Sequence, residues 1–79
     1  MAKIKVLLPQ FGMGMQDGEI VRWLKAVGDK VEVGEMLLEV EAAKTTVEIP
    51  APGSGTLIEI LVEEGNTTAV RNHIATLET

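Results

Sequence analysis

GEIVRWLKAVGDKVEVGEMLLEVEA, residues 18–42, and GTLIEILVEEGNTTAVRNHIATLET, residues 55–79, are two gapless copies of one pattern. With an offset of 37 residues, Gly18 matches Gly55, Ile20 matches Leu57, Trp23 matches Ile60, Leu24 matches Leu61 and Gly28 matches Gly65. Further on, Val33 matches Val70, Leu37 matches Ile74, Val40 matches Leu77 and Glu41 matches Glu78. A second echo precedes each copy. Val6 to Pro9 resembles Val47 to Pro50, so each half begins with an apolar, strand-like segment ending in proline. Repeats of this period usually build solenoids or propellers, but two copies are too few for an array and instead close on each other as one quasi-symmetric domain. The halves differ in the loop after the proline, which spans residues 10–17 in the first and 51–54 in the second. Lys44 stands at the join between the copies.

Ile4, Val6 and Leu8 alternate with Lys3, Lys5 and Leu7, the period of a half-buried strand. Residues 19–24 fit two periods, because Ile20, Trp23, Leu24 and Val27 have the i, i+3, i+4, i+7 spacing of a helix as well as the composition of a strand. The flanks favour strand. Gly18 and Gly28 leave a short interval, Ile20, Val21 and Trp23 are β-branched or aromatic, and the matching copy from Leu57 to Val62 reads as strand. Turn signals at Gly12/Gly14/Gly18, Gly28-Asp29, Gly34, Pro50 to Gly55 and Gly65-Asn66 recur in the rhythm of a small all-β sandwich or barrel. The remaining strands are expected at residues 31–33, 36–41, 45–49, 68–70 and 74–78. Ala42, Ala43 and Lys44 then form a tight exposed turn with Lys44 at a hairpin tip.

Seventy-nine residues make one domain without room for an enclosed catalytic cleft. The absence of cysteine removes disulfides, thiolate ligands and thiol nucleophiles, so any redox sulfur has to arrive on an attached group. A net charge of −5, with a single Trp and a single Phe, argues against a nucleic-acid partner, which needs many cations and stacking platforms. Neither a membrane span nor a secretion signal is visible. The expected compartment is the cytoplasm, or a mitochondrial matrix as the alternative. Gly12-Met13-Gly14-Met15-Gln16-Asp17-Gly18 has the wrong spacing for a dinucleotide fingerprint and reads as a recognition loop. Ser54, His73 and Asp29 supply the residue types of a hydrolase triad, but a lone histidine matching Met36 in the repeat reads as structural, and one histidine without cysteine offers no metal site.

A lysine in a turn is ordinarily a solvated surface residue. Here the surrounding pattern changes that reading. The run Leu8-Pro9, Gly12, Met15, Gly18, Ile20, Trp23-Leu24, Gly28-Asp29, Val31, Gly34, Val40-Glu41, Lys44, Ile49, Ala51-Pro52, Gly55 and Gly65 closely resembles the lipoyl domains of the 2-oxo acid dehydrogenase complexes, over essentially the whole chain. The resemblance implies two four-stranded antiparallel sheets related by a pseudo-twofold axis, forming a flattened sandwich or barrel, with lipoic acid in amide linkage on Lys44 between Ala43 and Thr45. At the tip most lipoyl domains read Asp-Lys-Ala, whereas this chain has Ala43-Lys44-Thr45. Biotin carrier domains share the fold and typically read Glu-Ala-Met-Lys-Met, so Glu41-Ala42 followed by Lys44 suits biotin too. The Leu8-Pro9 strand, the long loop and Trp23-Leu24 resemble the lipoyl branch, and biotin stays as the alternative cofactor.

By the same resemblance, a lipoyl ligase or lipoyl transferase would modify Lys44. A thiamine-dependent 2-oxo acid decarboxylase would then reductively acylate the arm, an acyltransferase core would pass the acyl group to coenzyme A, and dihydrolipoyl dehydrogenase would reoxidise it. The chain itself is expected to be a non-catalytic, monomeric carrier domain over residues 1–79, forming the N-terminal part of a longer acyltransferase chain, with a free-standing carrier protein as the alternative. Partner recognition is expected in the loop formed by Phe11, Gly12, Met13, Gly14, Met15, Gln16 and Asp17, together with Glu41 and the tip neighbours Ala43 and Thr45.

Overall fold

The computed structural model describes residues 2–11, 14–42 and 44–79. Eight strands follow one another: β1 (Lys3–Leu7), β2 (Asp17–Trp23), β3 (Lys30–Val31), β4 (Met36–Ala42), β5 (Thr45–Pro50), β6 (Gly55–Ile60), β7 (Thr67–Ala69) and β8 (His73–Glu78). Among the described residues there is no helix. The segment of ambiguous period, residues 19–24, lies almost entirely in β2, as its flanking glycines imply. Two antiparallel sheets form, ordered β1-β8-β6-β3 and β5-β4-β2-β7. Exchanging β1 with β5, β8 with β4, β6 with β2 and β3 with β7 turns one order into the other, so the repeat in sequence is a pseudo-twofold in space.

The backbone hydrogen bonds repeat as well. Gly65 N donates to Ile20 O at 2.7 Å, and its counterpart Gly28 N donates to Leu57 O at 2.7 Å. Ile20 N to Asn66 O and Leu57 N to Asp29 O are both 2.9 Å. These bonds tie each half to the other. Neither half completes its own ladder alone, which is why two copies and not one make a domain. Buried residues also pair off: Ile20 with Leu57, Leu37 with Ile74, Leu38 with Ala75, and Val40 with Leu77. The glycine opening each copy is steric in origin. A Cβ on Gly18 would lie 2.8 Å from Val40 Cγ1, and one on Gly55 would lie 2.7 Å from the Glu78 carbonyl oxygen. Real Cβ atoms do not approach so closely.

Two sequence expectations shift. Val33 and Val70 lie outside β3 and β7, because the chain turns there: Glu35 N donates to Glu32 O at 2.9 Å and Asn72 N to Ala69 O at 3.3 Å. The proline echo also moves. Leu8 N donates to Asn72 O and Leu8 O accepts from Arg71 N, while Ala51 N donates to Glu35 O and Ala51 O accepts from Gly34 N, so Leu8 is the counterpart of Ala51. Pro9 therefore matches Pro52 and not Pro50. The offset drops from 43 residues before the loop to 37 after it, making the first-half loop six residues longer than its counterpart. Hydrogen bonding and the buried face fix the register; a short apolar-proline similarity does not.

Candidate functional site

β4 and β5 form a hairpin whose ladder runs from Met36↔Pro50 to Ala42↔Thr45, leaving residues 43 and 44 as its connection. Short hairpin connections favour positive φ because it matches the twist of the strands. Lys44 adopts it, with φ of 67°. For a residue bearing a Cβ this conformation costs about 1–2 kcal/mol, and the ladder beneath holds it: Leu37, Leu38 and Val40 are fully buried, and Ile49 nearly so. The Lys44 side chain is exposed, as is Thr45, while Ala42 packs partly against the core. Among the described residues Lys44 makes no ion pair. A primary amine in this setting is accessible to an enzyme that acylates it, and the hairpin fixes where it points. Ala43 lies outside the described residues.

Beside the hairpin, Glu19 faces Glu41 across β2 and β4, and Glu39 faces Glu48 across β4 and β5. Glu41, Glu19 and Glu48 are exposed, and only Glu39 has a cation, Arg22 at 3.3 Å. Like charges directly opposite in a sheet are unfavourable. This outer face is therefore acidic and solvated.

The long loop approaches the same end of the molecule. Glu41 pairs with Glu19, and Asp17 and Gly18 precede Glu19 on β2, so the start of β2 lies level with the end of β4. The loop is clamped: Gln10 Nε2 donates to Met15 O at 3.1 Å, Val70 N to Gln16 O at 3.0 Å and Arg71 N to Leu8 O at 2.7 Å. Met15 is a core residue, 7% exposed, and Phe11 packs partly against that core, so these two anchor the loop from inside. Met15 is covered, whereas Phe11 is half-buried and keeps part of its surface in solvent. Among the described loop residues Gly14, Gln16 and Asp17 are exposed. Gly12 and Met13 lie outside the described residues.

The remaining candidates are dispersed. Ser54 Oγ accepts from Val33 N at 3.0 Å, Asp29 Oδ2 accepts from Ala26 N at 2.9 Å, and His73 Nε2 lies 2.7 Å from Thr76 Oγ1. Each secures a turn or a strand, and no bond links one to another. Among the described residues no group of three His, Cys, Asp or Glu side chains is placed to hold a metal ion, and no helix is long and apolar enough to cross a membrane. Lys25 and Glu35 form an ion pair at 2.6 Å between the β2–β3 and β3–β4 connections. Their hydrogen bond raises the Lys25 pKa and lowers that of Glu35.

Sequence reasoning missed Arg71. It has φ of 69°, and its repeat counterpart is Gly34, with φ of 88°. The signal was legible: applying the 37-residue offset to Gly34 lands on an arginine.

Two four-stranded sheets carry an exposed lysine at the end of the β4–β5 hairpin of one of them. The family model described as "Biotin-requiring enzyme", the biotin–lipoyl family, matches residues 4–77. The chain belongs to that family. It is 49% identical over 74 residues to the dihydrolipoyllysine-residue acetyltransferase component of the pyruvate dehydrogenase complex of Corynebacterium glutamicum, a match covering 94% of this chain and 11% of that protein. It spans between about a tenth and a sixth of the length of the curated relatives it matches first. The solution structure of the lipoyl domain of the Azotobacter vinelandii 2-oxoglutarate dehydrogenase complex superposes with a TM-score of 0.74 at 28% identity, covering 100% of this chain and 98% of that one. A Kluyveromyces lactis urea carboxylase gives a TM-score of 0.82 at 24% identity, covering 99% of this chain and 6% of that one. At that identity the match speaks for the fold alone. The higher score does not favour biotin, because the two branches of the family share one architecture.

Proposed function

We propose that this chain is a lipoyl carrier domain in which lipoic acid is bound as an amide on Lys44. The observation that carries this reading is the position of Lys44: an exposed, left-handed residue at the end of the paired β4–β5 hairpin, in a fold matched along its whole length by a lipoyl domain. The domain reads as the N-terminal part of a longer dihydrolipoamide acyltransferase, acting in the cytoplasm as a monomeric, non-catalytic module. A lipoyl ligase or transferase, a thiamine-dependent 2-oxo acid decarboxylase, the acyltransferase core and dihydrolipoyl dehydrogenase are its partners. When bound, lipoate supplies a dithiolane that carries electrons and an acyl group between active sites. The residues of this chain supply position. Amide formation removes the ammonium charge of Lys44, so the arm can enter an apolar cleft without an ion to desolvate. The β4–β5 ladder keeps the attachment point fixed, and tethering turns encounters between enzymes into intramolecular events.

The test is intact mass after incubation with lipoate, ATP and a lipoyl ligase, beside a parallel incubation with biotin and a biotin ligase. A gain of one lipoyl group that disappears in Lys44→Ala is expected. Efficient biotinylation without lipoylation would hand the site to biotin, and full lipoylation of the Lys44→Ala variant would move it elsewhere.

A further inference from the structure

Two of the differences between the halves touch each other. The first is the loop from Leu8 to β2, six residues longer than its counterpart. The second is Arg71, standing where the other half has Gly34. Both residues adopt positive φ in equivalent turns, and each turn makes the same bond, Arg71 N to Leu8 O at 2.7 Å and Gly34 N to Ala51 O at 3.0 Å. The backbone requirement is thus identical, and glycine meets it without strain in one half. The first-half loop rests on the turn where a strained, exposed guanidinium takes the place of glycine. Among the described residues Arg71 makes no ion pair, so no described side chain of opposite charge accounts for it.

The register sets Arg71 at the lysine end. Thr67, Glu19, Glu41 and Thr46 form one row across β7, β2, β4 and β5. From that row β4 and β7 run in the same direction, toward Lys44 and Arg71 respectively. Two strand spacings, about 10 Å, separate the two strands across the sheet. Once Lys44 is an amide its charge is gone, and Arg71 remains as the cation of that end, beside the exposed loop residues Gln16 and Asp17.

We propose that Arg71 is a specificity-determining residue that engages a carboxylate-bearing patch on the decarboxylase acting at Lys44, with the adjoining loop forming the rest of that surface. This rests on the carrier reading above. The domain would accept backbone strain in exchange for a charge-assisted contact, a form in which Arg is favoured at interfaces.

The test uses the lipoylated chain and the thiamine-dependent 2-oxo acid decarboxylase of the source organism, following reductive acylation across a salt series. Arg71→Gly is expected to melt no lower than the parent and to be lipoylated normally. Its KM should nevertheless rise by roughly tenfold, as for the loss of a charged interface contact, with kcat little changed and a flatter salt dependence. Arg71→Ala should show the same rise, and Arg71→Lys should recover most of it. Acylation of Arg71→Gly with the parent's KM overturns the proposal. So does a loss in Arg71→Ala that Arg71→Gly escapes, since that would assign the effect to the turn and not to the charge. Failure of the parent chain to be lipoylated would instead sink the carrier reading. The same Arg71 series, read as the Kd for the decarboxylase in a Lys44→Ala background, still decides this inference, with an unchanged Kd overturning it.

Discussion

The two connections that lead from an edge strand into a central one, Leu8 to β2 and Ala51 to β6, start from equivalent hydrogen bonds and end on equivalent glycines, Gly18 and Gly55. The second takes the short path. The first takes six more residues, buries Met15, half-buries Phe11 and leans on an arginine where symmetry has glycine. The shorter version makes the same connection between equivalent hydrogen bonds and glycines, so the backbone path of the sandwich does not require the six extra residues. A similar contrast holds at the strand ends. Ala2 and Thr79 close the β1–β8 pair, with Thr79 N donating to Ala2 O at 2.9 Å, and the equivalent pair in the other sheet, Ala42 and Thr45, is joined by the Lys44 connection. Symmetry makes the frame, and the departures from it mark where the frame is used.

The sharpest way to break the comparison is to move the lysine. In a variant combining Ala43→Lys with Lys44→Ala, the amine leaves the left-handed position and points elsewhere, because neighbouring side chains at a hairpin end face different ways. Modification by a lipoyl ligase, read by intact mass, should fall to a trace. A normal rate would show that the ligase reads the hairpin and not the position.

Next in size is the symmetric core. Leu37→Ala and Ile74→Ala remove counterpart side chains that are both fully buried. Each should cost about 2–5 kcal/mol in urea unfolding, the range for deleting a large aliphatic core side chain. The two losses should be alike. A difference above about 2 kcal/mol would mean that the halves share connectivity but not energetics.

A smaller effect separates the turns. Gly34→Ala places a Cβ on a backbone with φ of 88° and nothing within 4 Å to clash, so the cost is conformational alone, about 1 kcal/mol. Equilibrium unfolding measures it. An unchanged midpoint would remove the premise that a side chain at this turn is strained.

The smallest expected effect belongs to the half-buried Lys25–Glu35 pair, which has no analogue in the second half because Val62 and Asn72 occupy those places. Glu35 has its pKa lowered, so its contribution is present above the ordinary carboxylate range and fades as pH falls through the depressed value. Lys25 has its pKa raised, so its contribution holds below the ordinary lysine range and is lost as pH climbs past it. Glu35→Gln should flatten the acid limb of melting temperature against pH slightly while leaving the neutral plateau near the parent's value. An unaltered acid limb would show that the pair is energetically silent, as many surface pairs are.

Much of this was legible in the residues. The 37-residue offset gave the symmetry, the flanking glycines gave strand for residues 19–24, and the place between the copies singled out Lys44. The misreadings share one cause. Val33, Val70 and the Pro9–Pro50 match were judged on local apolar pattern, and a local pattern does not say which backbone groups find partners across the fold. Met15 lies in a loop expected to meet a partner because it is the large asymmetry between the halves, yet a long loop over a small core can turn an apolar side chain inward.

The sequence by itself determined the two-fold repetition, the all-β character and the lysine at the join, because each is written in spacing and composition along the chain. Tertiary structure alone decided which residues of the long loop are anchors and which are exposed, that Leu8 and not Gln10 is the partner of Ala51 in the symmetry, and that Arg71 lies at the same end of the sheet as Lys44. Those facts depend on hydrogen bonds between strands far apart in sequence, and such bonds exist only once both copies have closed on each other.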